Sequence, residues 1–181
     1  MTGPPDPRID EVRRILAARA RDVADDREQA AIVEFGAALD RLERPFDTDA
    51  DPTHVTSSAI VVGRAGVVLH RHKRLGLWLQ PGGHLDPAED LAAAGLREAR
   101  EETGLDLNHP DGGPVAVHVD VHQGGRGHTH LDIRWLLHGF GEPVPPEGES
   151  PDVAWFSWDS AIETADPGLA GALRHLRPRL A

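Results

Sequence analysis

The sequence predicts an α/β domain, in which a mixed sheet carries helices on its faces, preceded by an N-terminal helical hairpin. Strand-like runs of β-branched residues lie before and after one strongly patterned central helix, an order typical of such a sheet. The first 51 residues instead carry their apolar side chains at helical spacing. The 181 residues therefore suit one main domain, residues 52–181, with a helical extension, residues 1–51.

The extension is expected to form two helices. The first begins at Asp6 and Pro7, and the second runs from Asp25 to Leu42 and ends before Pro45. The apolar stripes are formed by Ile9, Val12, Ile15 and Leu16 in the first helix and by Ile32, Phe35, Leu39 and Leu42 in the second. A hairpin packed on the main domain is the simplest interpretation, while a role in dimerisation or in covering a substrate stays open.

Short β-branched or alternating runs, bounded by glycine and proline, predict the strands of the main domain. In chain order they span residues 55–62, 67–69, 77–79, 115–123, 129–137 and 153–158. A helix over residues 86–103 separates the third strand from the fourth. A proline-rich loop over residues 143–151 precedes the last strand, and a helix over residues 170–176 closes the domain.

Composition excludes several classes of function. The chain has 30 acidic residues against 19 Lys and Arg, a net charge of −11, which argues against a nucleic-acid-binding surface. It has no cysteine, so disulfides, thiolate metal sites and cysteine nucleophiles are excluded. No apolar run approaches the roughly 18 residues of a membrane span, and the first residues lack the apolar core of a signal peptide. We therefore expect a cytoplasmic protein without nucleic-acid or membrane partners.

The segment from Gly82 to Leu105 carries the most informative pattern of the chain. Asp86 is the expected N-cap of the central helix, Pro87 its first residue, and Glu89 the third position of a capping-box-like arrangement. Gly104 is the expected end of the helix. The sequence therefore predicts a well-delimited helix between two glycine-containing turns.

Three glutamates of this helix form a cluster: Glu98, Glu101 and Glu102. At 100° per residue, Glu102 lies at the edge of the apolar stripe, where carboxylates without cationic partners destabilise the fold or take up protons. A solvated acidic face is the alternative, but these acids crowd toward the apolar edge instead of opposing it. Several carboxylates on one helix suit Mg²⁺ or Mn²⁺, and the turn at Gly82 and Gly83 lets a backbone carbonyl approach such an ion.

The residues from Gly83 to Leu105 resemble the signature of a known family, the MutT-like Nudix hydrolases. Glu89 follows Gly83 after five residues, and the run Arg97-Glu-Ala-Arg-Glu-Glu-Thr-Gly-Leu105 follows after seven more. This pattern matches the Nudix box without a departure. The resemblance covers 23 residues directly.

Two further segments are similar to one bacterial subgroup of that family. They are Trp78-Leu-Gln-Pro-Gly-Gly-His84 and His128-x-His130-x-Asp132-x-Arg134. The resemblance implies the Nudix-type α/β/α sandwich for residues 52–181. The N-terminal helices lie outside the usual core of the family.

The resemblance also implies an activity, namely hydrolysis of a nucleoside diphosphate linked to another group X, by attack of a metal-activated water on phosphorus. Mg²⁺ or Mn²⁺ is the implied cofactor. Glu98, Glu101 and Glu102 are the implied metal ligands, with the carbonyl of Gly82 completing the coordination. Glu98 is also our first choice for the general base, and Arg97 is expected to orient it by ion pairing.

Other residues are candidates for the general base and for substrate contacts. Two acids of the proline-rich loop, Glu147 and Glu149, are alternative bases. Candidate substrate contacts are His84, Arg64, Arg71, His128, His130, Asp132 and Arg134. On paired strands, the last four would share one polar face with His118, Asp120 and His122. Solvated strand faces and a dedicated transition-metal site are the alternatives for this face, and an exposed hairpin is the alternative for the arginines.

A second class of function is a catalytically silent module that keeps the Nudix fold for nucleotide binding or regulation. Such a module would be expected to lose glutamates of the box, and this chain retains them. An isomerase of prenyl diphosphates on a related fold would require a catalytic cysteine, which the chain lacks. The identity of the group X is left open by the sequence, as is a homodimer.

Overall fold

The computed structural model describes residues 6–180, so residues 1–5 of the predicted extension and residue 181 of the predicted domain lie outside the described residues. The helices are Pro7–Arg19 (α1), Asp26–Arg41 (α2), Leu91–Thr103 (α3), Trp158–Thr164 (α4) and Pro167–Leu180 (α5). The strands are Thr53–Gly63 (β1), Gly66–Arg71 (β2), Trp78–Leu79 (β3), Gly82–His84 (β4), Asp106–Asn108 (β5), Ala116–Gln123 (β6), Thr129–Phe140 (β7) and Val153–Phe156 (β8).

These strands form one mixed sheet around β1. β1 pairs antiparallel with β2 and β4 and parallel with β7. β2 also pairs with β3 and β8, and β7 with β5 and β6. The predicted mixed sheet is therefore confirmed.

Alternate residues of β1 serve opposite layers. Ala59 and Val61 share an apolar cluster with Ala99 of α3, while Ile60 shares another with Leu173 of α5. Helices therefore cover both faces of the sheet, which confirms the predicted α/β/α sandwich. In the part of the chain from residue 6 to residue 180, no helix is both long enough and apolar enough to cross a membrane.

The N-terminal helices α1 and α2 pack on this sandwich, as was predicted for the helical hairpin. Val12 of α1 and Phe35 of α2 are fully buried in the same apolar cluster as Leu131 and Ile133 of β7. Burial of each such side chain stabilises the fold by roughly 1.5–3 kcal/mol. The helices are therefore held against the sheet by apolar burial.

The central helix begins later than its capping pattern predicts. Its N-cap is Asp90, whose side chain accepts the N–H of Ala93 at 3.0 Å. The predicted cap Asp86 and Glu89 do bond each other, but they close a separate turn. Ala88 in that turn has a φ of 62°, which a helix cannot continue through. The predicted end at Gly104 is confirmed.

Three short elements, β4, β5 and α4, were not predicted. The two strands have three residues each and exist because they pair with β1 and β7, so neither carries a periodic pattern of its own. The last predicted strand, 153–158, was wrong at its end, because Ser157 caps α4 by accepting the N–H of Ser160. The closing helix α5 is longer than the predicted 170–176.

Candidate functional site

One cavity of about 570 Å³ collects most of the predicted site residues. It lies beside α3 and β4 and against the polar positions of β1, β6 and β7. The predicted site residues in its lining are Gly82, His84, Glu98, Glu102, His128, His130, Asp132 and Arg134. The structure therefore gathers residues that are up to 52 positions apart in the chain, from 82 to 134.

Glu102 occupies the carboxylate end of the cavity with its side chain only 18% exposed. Its Oε2 accepts the N–H of Gly82 at 2.8 Å and lies 3.5 Å from Nε2 of His70. Burial raises the pKa of Glu102 to about 8, with the charge of Glu98 adding to the rise. This carboxylate therefore gains strongly from any cation placed beside it.

Glu98 lies one turn earlier on α3 and is equally sheltered, at 18% exposed. Burial raises its pKa, while the hydrogen bond from Arg97 opposes the rise. Its carboxylate lies against the backbone of β4, where a Cβ added to Gly83 would stand 2.6 Å from Glu98 Oε2. Glycine at this position is what admits the carboxylate to the strand.

Arg97 connects the helix to β4 and to the preceding turn. Its guanidinium donates to both oxygens of Glu89, at 2.8 and 2.9 Å, and to Glu98 Oε1 at 2.9 Å. It also donates to the backbone carbonyl of His84 at 3.0 Å. The carboxylates of Glu89 and Glu98 raise the pKa of Arg97. The guanidinium of Arg97 thus contacts two carboxylates and one carbonyl at once, a geometry to which the planar arginine side chain is suited.

Glu101 is not brought into the group. Its side chain is 55% exposed. Among the described residues, its carboxylate accepts a side-chain hydrogen bond only from Arg97 Nη1, at 3.1 Å. Gly82 joins the group through its N–H, which Glu102 accepts, whereas the predicted contribution was its carbonyl. The carboxylates that line the cavity are thus Glu98 and Glu102 from α3.

The polar face of the sheet is built on the pairing of β1 with β7. Thr56 pairs with Asp132 and Ser58 with Arg134, so these side chains point to the same side. Asp132 accepts from Thr56 Oγ1 at 3.0 Å, from Ser58 Oγ at 2.7 Å and from Arg134 Nε at 3.3 Å. The aspartate is thereby held as a buried hydrogen-bond acceptor in the cavity wall.

Arg134 continues this network across the sheet to β6. It is 1% exposed and donates from Nη2 to Asp120 at 3.1 Å. Asp120 also accepts from Arg27 of α2 at 3.0 Å. Burial works against the charged form of Asp120, but His122, Arg134 and Arg27 together hold its pKa below its usual range. The N-terminal helices therefore reach the cavity through Arg27, which also lines it.

Four imidazoles lie close together at what we call the imidazole end of the cavity, and those of His84, His128 and His130 line it. The ring centroid of His54 lies 5.0 Å from that of His84, 5.1 Å from that of His128 and 5.3 Å from that of His130. Burial lowers the pKa of His54 and His84, and burial with neighbouring imidazoles lowers that of His130 to about 4. The rings of His54, His84 and His130 are therefore uncharged near neutral pH, and each carries a lone pair.

The structure does not bring the predicted arginines Arg64 and Arg71 into the cavity. Arg64 lines a separate cavity of about 300 Å³ beside His138. Arg71 is half exposed, bonds the carbonyl of Gly76 and lies 3.7 Å from Asp152. Arg64 lies in the turn between β1 and β2, and Arg71 is the last residue of β2. Neither is among the described residues that line the cavity of Asp132.

Glu147 and Glu149 of the proline-rich loop were the alternatives for the general base. Neither is among the described residues that line the cavity. Glu149 is close enough for its charge to raise the pKa of Glu102. Glu98, in contrast, lines the cavity directly.

Sequence reasoning missed His54, Thr56, Ser58 and His70. The first three occupy alternate positions of β1, which is a period-2 signal at the beginning of that strand. His70 is the penultimate residue of β2 and is 5% exposed, next to Glu102. Only the pairing of the strands shows that Thr56, Ser58 and His70 line the cavity and that His54 lies next to the lining histidines.

A family model described as the NUDIX domain matches residues 52–176. Among solved structures, a hydrolase of the NUDIX family from Clostridium perfringens is similar with a TM-score of 0.59 and 26% identity, over 70% of this chain and 97% of that one. An Ap4A hydrolase from C. elegans has a TM-score of 0.58 and 22% identity, over 70% and 96%, and shows the fold alone.

The m7GpppN-mRNA hydrolase NUDT17 of Bos taurus is 58% identical over 31 residues, which are 17% of this chain and 10% of that protein. The match therefore spans about a tenth of the relative's length. Because the NUDIX model covers more than half of the chain and encloses the whole Gly83–Leu105 signature, the chain belongs to the Nudix hydrolase family.

Proposed function

We propose that this chain hydrolyses a phosphoric anhydride linkage in a nucleoside diphosphate linked to another group X, with Mg²⁺ or Mn²⁺ as cofactor. The observation that carries the proposal is the placement of Glu98 and Glu102, whose side chains are only 18% exposed and line one cavity beside the glycines of β4. The predicted ligands are these two residues with Glu101 and the backbone of Gly82. The catalytic domain is residues 52–181, and residues 1–51 form an extension that contributes Arg27 to the cavity wall.

The residues present fit a hard divalent cation. Two carboxylates supply the oxygen ligands that Mg²⁺ and Mn²⁺ prefer, and Gly83 leaves a space that a Cβ would fill. Burial raises the pKa of Glu102 to about 8, so the charged form of this carboxyl is favoured near neutral pH only when a cation lies beside it. When bound, such an ion would lower the pKa of a bound water and neutralise charge on the phosphate oxygens.

Within this reaction Glu98 is assigned as proton acceptor from the attacking water. Arg97 bonds Glu98 Oε1 at 2.9 Å, whereas Oε2 faces the space beside Gly83, so Oε2 is the oxygen free to accept. The bidentate contact of Arg97 with Glu89 prevents rotation of the guanidinium. Arg97 is thus a positioning residue.

Basic side chains in the cavity are suited to the phosphate groups of the substrate. Arg27 and Arg74 line the cavity beside Arg134. Arg27 is bonded to Asp120 but keeps 44% of its side chain exposed, so it can turn a guanidinium N–H toward an anion. Attraction by such groups offsets the repulsion between a diphosphate and a chain of net charge −11.

The test is a substrate panel in which product identity is scored. The panel contains nucleoside triphosphates, dinucleoside polyphosphates, ADP-ribose, nucleotide sugars and an m7GpppN cap, each with Mg²⁺, with Mn²⁺ and with a chelator. We expect metal-dependent release of a nucleotide, with ¹⁸O from labelled water in a product phosphate. Binding of nucleotides without turnover anywhere in the panel would favour the silent module instead.

A further inference from the structure

Three histidines from three strands converge beside the cavity. Suitable ring nitrogens of His54, His84 and His130 all lie within 4.8 Å of one another. The strand pairing explains the convergence, since His54 of β1 pairs with His130 of β7, and His84 of β4 pairs with Thr56, two residues from His54. The arrangement is therefore fixed by the register of β1 with β4 and β7, near the first residues of β1 and β7.

His54 provides a second, independent observation. It is 0% exposed, and its Nδ1 lies 3.1 Å from the carbonyl oxygen of Asp51. A carbonyl can only accept, so Nδ1 carries the proton and Nε2 carries a lone pair. Nε2 is buried and has no hydrogen-bond partner within residues 6–180, the side chain of Arg126 aside. Leaving such a buried atom without a partner costs free energy of folding, which a ligand at Nε2 would recover.

We propose that His54, His84 and His130 bind a transition-metal cation, Zn²⁺ by class, at a site separate from the carboxylates of the Nudix box. Imidazole ligands favour Zn²⁺ and its neighbours, whereas Mg²⁺ favours oxygen. A backbone carbonyl bonded to the far nitrogen, as Asp51 is to His54, is the usual support of a metal-binding histidine.

The geometry leaves room for such an ion with small side-chain movements. Nitrogens at about 2.0–2.1 Å from Zn²⁺ stand about 3.3 Å apart in a tetrahedral site, so the rings must close in on the ion. His84 is exposed and can rotate. The ring of His130 is held against Gly124, where a Cβ would approach its Cε1 to 2.3 Å.

Three protein ligands leave the fourth position of a tetrahedral ion open, as in catalytic zinc sites. Both His84 and His130 line the large cavity, so the open position faces it. Water or an anionic oxygen of a bound ligand would fill that position. The site would therefore add positive charge at the imidazole end of the cavity.

The test measures binding of Zn²⁺ alone to chelator-stripped protein, by competition with a chromophoric chelator, and of Co²⁺ by its visible ligand-field bands. The variants are His84→Gln, which is exposed and not expected to disturb folding, and His54→Gln. His138→Gln is the matched control, because it also lies on β7 but lines the separate smaller cavity. The double variant Glu98→Gln/Glu102→Gln removes the oxygen ligands of the box.

We expect one tightly bound Zn²⁺ and tetrahedral Co²⁺ bands in the unaltered chain, in His138→Gln and in the double glutamate variant. His84→Gln should weaken binding by about 10–100-fold, and His54→Gln should abolish it. Absence of Zn²⁺ binding, equal binding in His84→Gln, or loss of binding in the glutamate variant would each overturn the proposal. None of these results depends on whether a nucleotide is hydrolysed, so the two proposals fail separately.

Discussion

The two ends of the cavity differ in how the chain builds them. The carboxylate end comes from one helix, α3, where Glu98 and Glu102 are four residues apart and face the glycines of β4. The imidazole end comes from residues 54, 84 and 130, which meet only because β1 pairs with both β4 and β7. The spacing of residues along α3 therefore predicts the carboxylate end, whereas the imidazole end forms only through strand pairing.

The ends also differ in the cation that their atoms suit. Carboxylate oxygens favour hard ions such as Mg²⁺, and uncharged imidazoles favour borderline ions such as Zn²⁺. Arg97 joins the two, because it bonds Glu98 and also the backbone carbonyl of His84. Variants at each end should consequently separate metal-dependent hydrolysis from zinc binding.

The largest effect is expected at the carboxylate end. Glu102→Gln removes a buried charge from the proposed metal site, so metal-dependent hydrolysis should fall by more than about 100-fold, beyond the 10–100-fold typical of supporting residues. Steady-state assays with Mg²⁺ measure it, and circular dichroism checks the fold. The variant for comparison is Glu101→Gln. Because the side chain of Glu101 is mostly exposed, metal-dependent hydrolysis should fall by only about 10-fold in this variant. Undiminished activity in Glu102→Gln would refute the assignment.

The next largest effect is expected from the residue that joins the ends. Arg97→Lys keeps the charge but loses the two-pronged contact with Glu89. Turnover should fall by about 10–100-fold, with a raised requirement for Mg²⁺, because Glu98 is no longer oriented. Arg100→Lys on the same helix is the control, since Arg100 bonds only the carbonyl of Leu107 among its described side-chain contacts. Equal losses in the two variants would contradict a positioning role.

A smaller effect, confined to the imidazole end, is expected from Gly124→Ala. The added methyl would meet the ring of His130 and displace it, so affinity for Zn²⁺ should fall by about 10-fold, the low end of the range for supporting positions. Gly112→Ala is the control, because nothing lies within 4 Å of its Cβ position. The chelator competition measures both. A parallel loss of Mg²⁺-dependent hydrolysis would show that the ends are not separable.

The smallest effect is expected at His118 of β6, which is buried next to Arg134 of β7. Burial, and then the positive charge of Arg134, lowers the pKa of His118 to about 2, with Asp120 opposing and the arginines Arg19 and Arg27 of α1 and α2 adding to the fall. In the unfolded chain His118 therefore takes up a proton near pH 6.5, whereas in the folded chain it stays neutral at that pH.

Because His118 stays neutral in the folded chain, the free energy of unfolding does not depend on this residue above pH 6.5. Between pH 6.5 and 2 it decreases as the pH falls, by up to about 1.4 kcal/mol per pH unit. Denaturant unfolding between pH 7 and 5 should thus show a flatter pH dependence in His118→Gln than in the unaltered chain. His138→Gln, which is only partly buried, should keep the steeper dependence. Identical slopes in His118→Gln and the unaltered chain would show that His118 does not stay neutral.

Several features of the fold were open to prediction because they depend on neighbours in the chain. The apolar stripes of α1 and α2, the β-branched runs of β1 and β2, and the end of α3 at Gly104 all follow from local periodicity and capping. The start of α3 was displaced because Asp86 and Glu89 satisfy each other in a turn of their own. Strands β4 and β5 escaped prediction because pairing alone makes them strands.

The same division holds for the site. By itself the sequence determined the family, the sandwich and the spacing of Glu98, Glu101 and Glu102, since these depend on residues within a few turns of one helix. Only the tertiary structure decided that Glu101 faces solvent, that Arg64 and Arg71 lie outside the cavity, and that three distant histidines meet. The physical reason is that side chains on different strands become neighbours through backbone pairing, whose register is set by the burial of the entire sheet.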